Sequence, residues 1–222
     1  MDRTISFINS IFSNSSVYID VPRRVTAPVH SQLRTEIIRK TIHFFIALVP
    51  FLASIDKMAT VSILMIGTLS YTLMEYLRLC GVKIPMISSI TGMASRPRDF
   101  GRFVMGPVTL GIGALLALLL YPSNAAAIAI YALAFGDGIA SLVGKFFGKW
   151  RPSFLLGKSV EGSLACFTIV FICAYAVCGN ANIAIVAAFV TTVVEAMPLE
   201  DFDNIAIPVT VGLAVQLASV VL

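Results

Sequence analysis

The chain alternates long apolar runs with short clusters of charge, and that alternation constrains its fold more than any other feature. The runs fall at Thr41–Ile55, Met58–Leu77, Val104–Leu120, Asn124–Val143, Ser163–Cys178, Ile183–Met197 and Ile205–Leu222. A helix needs roughly 20 apolar residues to cross hydrocarbon, and inside lipid every backbone N–H and C=O has to be bonded within its own segment. The runs therefore predict an all-α, polytopic membrane helix bundle of about seven transmembrane helices. Thr41–Ile55 is short for a bilayer and its link to the next run, Asp56-Lys57, is tight, so the first two runs suit a tilted hairpin. Composition agrees: 58% of the 222 residues are hydrophobic and 13% are charged, where soluble domains carry about 25% charge. A soluble enzyme, a coiled coil, a disulfide scaffold and a disordered tail are excluded.

Orientation follows from the basic residues, because positive loops stay on the cytoplasmic side. Arg3, Arg23, Arg24, Arg34, Arg39 and Lys40 precede the first run. Arg78, Lys83, Arg96, Arg98 and Arg102 lie between the second and third, and Lys145, Lys149, Arg151 and Lys158 between the fourth and fifth. A cytoplasmic N-terminus and an odd number of spans put all of them on one face and leave only Lys57 opposite. The chain then divides into a cytoplasmic N-terminal segment, residues 1–40, and a transmembrane domain, residues 41–222. Connections on the far side, Tyr121–Ser123 and Gly179–Asn182, are short and uncharged, so the working surface is cytoplasmic. Loops of this kind account for the +4 formal charge without a nucleic-acid partner. The host is the inner membrane of a bacterial cell or an ER-type membrane of a eukaryotic one.

Met1–Tyr18 is rich in Ser and Asn and has no continuous apolar core, so no cleavable leader is expected there. Ile5–Phe12 suits a short interfacial helix or an unstructured tail equally. Cys80, Cys166, Cys173 and Cys178 show no C-x-x-C spacing and read as reduced packing residues. His30 and His43 are too few for a histidine-based metal cluster.

The acids carry the first functional signal. Glu36, Glu75, Asp99, Asp137, Glu161, Glu195, Glu200, Asp201 and Asp203 all fall at or near the cytoplasmic ends of spans. A charge at the centre of a membrane helix costs about 2.5–3.5 kcal/mol on insertion scales, so such residues are paired or functional. Snorkelling or a structural ion pair accounts for any one of them. Asp137, Glu161, Glu195 and Asp203 together, at one depth and beside a basic loop, point to a site.

The densest segment runs from Phe135 to Lys149 and continues through Gly157-Lys158-Ser159-Val160-Glu161-Gly162-Ser163. Its glycines let backbone amides approach a ligand closely, and Lys145, Lys149 and Lys158 supply positive charge, a combination that suits phosphate. The carboxylates of Asp137 and Glu161 suit Mg²⁺, which takes one or two carboxylates together with phosphate oxygens and water. A nucleoside triphosphate with its metal satisfies both halves, although Gly144 and Gly148 also suit plain helix packing. Pro152-Ser153-Phe154-Leu155-Leu156-Gly157-Lys158-Ser159 ends like a Walker A loop, but Pro152 stands where the first glycine belongs and no strand precedes it. Gly136-Asp137-Gly138 lacks the third glycine of G-x-G-x-x-G.

These residues carry a resemblance. Asp137 through Gly148, then Lys158-Ser159-Val160-Glu161-Gly162-Ser163, then Glu195-Ala196-Met197-Pro198 with Asp203-Asn204 and Pro208, resemble the dolichol kinase and phytol kinase family of polytopic CTP-dependent lipid kinases. That family is distantly related to the phosphatidate cytidylyltransferases. Glu36-Ile-Ile-Arg39-Lys40-Thr-Ile-His43 is similar to its opening E-x-x-R-K-x-x-H segment, so agreement extends from about Glu36 to Pro208. Pro97-Arg98-Asp99 through Gly106 and Gly113 matches less well, with Asp99 where Glu is expected.

The resemblance implies that residues 41–222 form a catalytic domain transferring the γ-phosphate of CTP to a membrane lipid alcohol such as a polyprenol, phytol or diacylglycerol. By the same analogy Asp137 and Glu161 are Mg²⁺ ligands or the base that activates the acceptor. Lys158 is the leading triphosphate contact, with Lys145 and Lys149 secondary. Gly157, Ser159, Gly162 and Ser163 lie along the nucleotide, and Glu195, Asp203 and Asn204 close the site. Arg39 and Lys40 add to its polar rim, and His43 is a general base or a structural hydrogen-bonding group. Two other readings compete. A cytidylyltransferase would attack the α-phosphorus instead, but its H-G-G-x-x-D-R-x-D run is absent and no histidine follows His43. A small transporter would share the intramembrane acids and broken helices, but not their gathering on one face.

Overall fold

The computed structural model describes residues 29–82, 99, 101–155 and 157–221, and these form helices and turns with no strand among them. The expected interfacial helix at Ile5–Phe12, the basic residues before Val29, and Lys83, Arg96, Pro97 and Arg98 lie outside the described residues. Helix α1 is Val29–Ile46 and α2 is Val49–Ile55. Pro50, in the first turn of α2, has no N–H to continue the ladder, so the chain breaks at Ala47-Leu48. Asp56 is extended, and its side chain accepts from the Ala59 N–H at 2.9 Å, starting α3, Lys57–Leu79. The first two passes therefore form a hairpin about one residue, as their tight connection predicts. The first pass begins earlier than expected, at Thr35 rather than Thr41.

After the second charged connection come α4 (Gly106–Leu120) and then α5 (Ser123–Tyr131), a π-helical segment (Ala132–Asp137) and α6 (Gly138–Phe146), which run together as one apolar span. A short 3₁₀ turn, Ser153–Leu155, leads to α7 (Val160–Cys178), α8 (Ala181–Ala196) and α9 (Asp203–Val221). Thr35–Ile55, Lys57–Leu79, Ser123–Phe146, Val160–Cys178 and Asp203–Val221 are each long and apolar enough to cross a membrane. Gly106–Leu120 and Ala181–Ala196 are apolar but shorter. The result is a polytopic helical bundle.

Its centre is the span Ser123–Phe146, 61% of whose most apolar window is buried, against 17% for the first two spans. Alanines make this possible. Ala129, Ala132, Ala134, Ala174, Ala184 and Ala187 are fully buried, and small side chains let helices approach closely where lipid offers no hydrophobic drive for association. The outer faces carry Phe45, Phe51, Ile63, Ile66, Leu69 and Leu217, all exposed as lipid-facing side chains should be. The cysteines are unbridged, three of them on α7.

Candidate functional site

One irregularity positions the site. The span Ser123–Phe146 loosens into a π-helical turn at Ala132–Asp137, and Asp137 sits at its end, only 3% exposed. A π turn carries one residue more than the α ladder needs and so re-aims the side chains beside it. The charged stripe of α1 meets that carboxylate: Glu36, Lys40 and His43, spaced i, i+4 and i+7, share one face. Lys40 Nζ is in direct contact with Asp137 Oδ2 and lies 3.9 Å from Glu36 Oε1. Glu36 in turn contacts Lys145 Nζ at 2.8 Å and accepts from the Ser141 hydroxyl at 2.8 Å. His43 Nδ1 lies 3.3 Å from Asp137 Oδ2, within ion-pair distance, yet its geometry makes no hydrogen bond and the nitrogen is buried without a partner. Each charge removed from water here has an opposite charge beside it, the condition under which such burial is tolerated.

The other wall comes from the basic loop and the last helices. Lys158 Nζ contacts Glu195 Oε1, whose side chain is buried on α8. Burial works against the Lys158 charge, but Glu195 more than offsets it, helped by Asp137 and Asp203, and holds the pKa above the ordinary lysine value. Lys158 is therefore an ammonium throughout the neutral range. Ser159 caps α7 by accepting from the Gly162 N–H at 3.1 Å, and Arg151 folds the loop inward through the Gly157 and Gly144 carbonyls at 2.7 and 2.6 Å. Gly157 adopts φ +92°, a conformation that favours glycine.

Between these walls opens a cavity of about 410 Å³, within the range of small-ligand sites. Of the residues singled out in the sequence, Lys40, Asp137, Lys145 and Lys158 line it, as do Gly157, Ser159, Gly162, Ser163, Glu195 and Asp203. Ser163 Oγ is buried and makes no hydrogen bond. Among the described residues no cation lies within ion-pair distance of Asp203.

Other expected members are elsewhere. Glu161 does not line the cavity: its carboxylate accepts from the Lys149 and Trp150 N–H groups at 3.0 and 3.2 Å, tying the loop to the start of α7. Lys149 is exposed outside the cavity. Asn204 is buried on α9, where it donates to Thr109 Oγ1 at 2.9 Å and fastens α9 to α4. Glu75 is likewise structural, gripping Arg78 through both oxygens and accepting from the Val104 N–H at 2.9 Å. Arg39 and His43 line a separate, smaller cleft. Gly162 touches the cavity but also packs, since a Cβ there would run into the Ala140 carbonyl and so hold α6 and α7 apart.

Three charged lining residues lay outside the candidate set, Glu36, Arg151 and Glu200, the last at a positive φ of 57° that non-glycine residues seldom adopt. The i, i+4, i+7 spacing from Glu36 to His43 is the signal that finds the first of them.

Over 70 residues the chain is 33% identical to CTP-dependent diacylglycerol kinase 1 of Schizosaccharomyces pombe, a stretch covering 32% of this chain and 32% of that protein. The chain thus matches about a third of the length of this curated relative, a diacylglycerol kinase by name and not a dolichol or phytol kinase. No protein-family model matches the chain, and no solved structure does.

Proposed function

We propose that this chain is a CTP-dependent lipid kinase that transfers the γ-phosphate of CTP to the hydroxyl of a membrane lipid alcohol, with diacylglycerol as the acceptor. The observation that carries this reading is the 410 Å³ cavity, where Lys40, Lys145, Arg151 and Lys158 face Asp137, Glu195 and Asp203 inside an otherwise apolar bundle. Four cations converging on one cavity suit a triphosphate that takes over from their present partners, and the similarity to a kinase named for CTP and diacylglycerol supports both substrates. With CTP drawn from the cytosol, the cavity end of the bundle is the cytoplasmic one.

Phosphoryl transfer asks the protein for positioning and charge stabilisation more than for covalent chemistry. Lys158 and Lys145 are the principal contacts for the triphosphate, the Ser163 hydroxyl bonds a phosphate oxygen, and Gly157 lets the chain pass close. Magnesium fits the donor set, because it needs only one or two protein carboxylates when phosphate and water complete its shell. Among the described residues no group of three or more His, Cys, Asp and Glu side chains could hold a metal alone. Asp137 and Asp203 would hold it; Glu161, directed at backbone N–H groups, would not. When bound, it neutralises charge developing on the phosphates. The lipid oxygen attacks the γ-phosphorus as the bond to the β-bridging oxygen breaks and CDP departs. The hydroxyl proton passes to the buried His43 imidazole, whose Nδ1 stands 3.3 Å from Asp137 Oδ2 without a hydrogen bond to it.

The test uses purified protein with CTP labelled in either the γ or the α position and a panel of diacylglycerol, phosphatidate, phytol, farnesol and long polyprenols. Label from the γ position should enter diacylglycerol. Label from the α position in lipid would make the protein a cytidylyltransferase, and no labelled lipid from any acceptor would sink the proposal.

A further inference from the structure

The stretch that follows the central span holds three aromatic side chains away from the bundle. Phe146, Phe147 and Trp150 are 54%, 69% and 65% exposed, and none of them lines the cavity. Phe146 ends the span Ser123–Phe146, so its ring belongs with the lipid-facing side chains, but Phe147 and Trp150 lie past the last residue of α6. Large rings left in water give up the gain of burial.

The loop is not free to turn them inward, because its backbone is held. The Lys149 and Trp150 N–H groups donate to Glu161 Oε1 at 3.0 and 3.2 Å, and the Trp150 carbonyl accepts from the Val160 N–H at 3.0 Å. Next in the chain, Arg151 donates to the Gly144 and Gly157 carbonyls and lines the cavity. Neighbouring residues thus take opposite sides, Arg151 towards the cavity and the Trp150 indole away from it. Lys149, which the resemblance makes a secondary triphosphate contact, is exposed outside the cavity instead.

The same bonds bracket the depth of the loop. Phe146 closes one membrane-length span, Val160 opens the next, and Trp150 is hydrogen-bonded to Val160 itself. A residue tied to the first turn of a span stands where hydrocarbon gives way to the headgroup layer, which is about 5–7 Å thick on each side. Tryptophan favours that level, since its ring is apolar and its Nε1–H needs a partner. A lysine there lays its methylenes on the acyl chains and its ammonium on lipid phosphate. A protein partner would have to reach the rings through the headgroups.

We propose that Phe147, Lys149 and Trp150 form an interfacial anchor whose partner is the phospholipid headgroup layer, with the two rings at the top of the acyl chains and the Lys149 ammonium on lipid phosphate. The anchor asks nothing of the substrate and holds whatever reaction the cavity supports. Because the same stretch gives Lys145 and Arg151 to the cavity wall, the depth of Trp150 is also that of the cavity's edge.

The chain has a single tryptophan, so its fluorescence reports this position alone. The unaltered protein is reconstituted in phosphatidylcholine vesicles brominated either near the head of the acyl chain or near its end, with excitation beyond the tyrosine band. Shallow bromines should quench about twofold more strongly than deep ones, because a ring at the edge of the hydrocarbon lies close to the chain heads. Deep bromines as effective as shallow ones would place the ring in the hydrocarbon. Quenching by aqueous acrylamide and by neither lipid would place it in water, and protection from all three would mean that protein covers it, a second copy included. Each of those results would overturn the anchor. Lys149→Gln keeps the backbone N–H that Glu161 accepts and changes only an exposed side chain. A small share of brominated phosphatidylglycerol, an anionic lipid, should quench the parent about twofold more than the same share of brominated phosphatidylcholine, and that preference should fall towards parity in the variant. An undiminished preference would remove Lys149 from the anchor.

Discussion

At the scale of single residues, two carboxylates that look equivalent in the chain part company in the fold. Asp137 is buried beside Lys40 and His43 on the cavity wall, whereas Glu161 holds the N–H groups of Lys149 and Trp150 outside it. Asp137→Asn keeps the shape and removes the charge, so lipid phosphorylation should fall by about 10²–10³ in kcat. Glu161→Gln leaves an acceptor for the same N–H groups and should stay within about threefold of the parent. Initial rates with labelled CTP at saturating lipid compare them, and equal losses would restore Glu161 to the site. The sequence brought Asp137, Lys158, Glu195 and Asp203 into view because a charge in an apolar run needs a reason. It could not separate Glu161 from them, because a cap and a ligand differ only in where the oxygens point. Asn204 misleads similarly: its partner, Thr109, lies on another helix and is invisible until α4 and α9 pack.

At the scale of elements, the apolar runs made the helices legible to within a turn or so, except that the first pass begins at Thr35 and not Thr41, and the hairpin follows from the tight Asp56-Lys57 connection. The π turn at Ala132–Asp137 was not legible, since nothing in Ala-Leu-Ala-Phe-Gly-Asp distinguishes it from α-helix. Helices α1, α7, α8 and α9 pack around it. The glycines of α6 and α7 were readable as ligand contacts or as packing, and the structure gives Gly162 a packing load as well as a place at the cavity. Gly162→Leu should therefore wedge α7 away from the Ala140 carbonyl and cost about 1–3 kcal/mol of stability. Thermal unfolding in detergent measures this; an unchanged midpoint would mean that α6 and α7 yield more readily than their close approach implies.

At the scale of the whole molecule, a cavity lined by charge is set into an otherwise apolar helical bundle. A kinase of the proposed kind would meet its acceptor by diffusion within the bilayer. Its rate should follow the mole fraction of diacylglycerol in mixed micelles, not the bulk concentration. Diluting a fixed amount of diacylglycerol with inert detergent or phospholipid, at constant protein and CTP, should slow phosphorylation roughly in proportion to the mole fraction while the acceptor remains below saturation. A rate that ignored that dilution would place acceptor capture in water.

The attachment of α1 has a consequence for how the protein is made. Most of the bundle meets through small apolar side chains, and α1 adds to its own apolar contacts, such as Phe44 on Phe135, the charged pairs Lys40 to Asp137, Lys145 to Glu36, and Arg39 to Asp201 at 3.7 Å. When α1 leaves the ribosome, Asp137 has yet to be synthesised, so Lys40 and Glu36 have only each other. Asp137 later enters the insertion machinery on a helix with no cation beside it. The charged pairs that α1 makes with the central span can therefore close only after that span has been made.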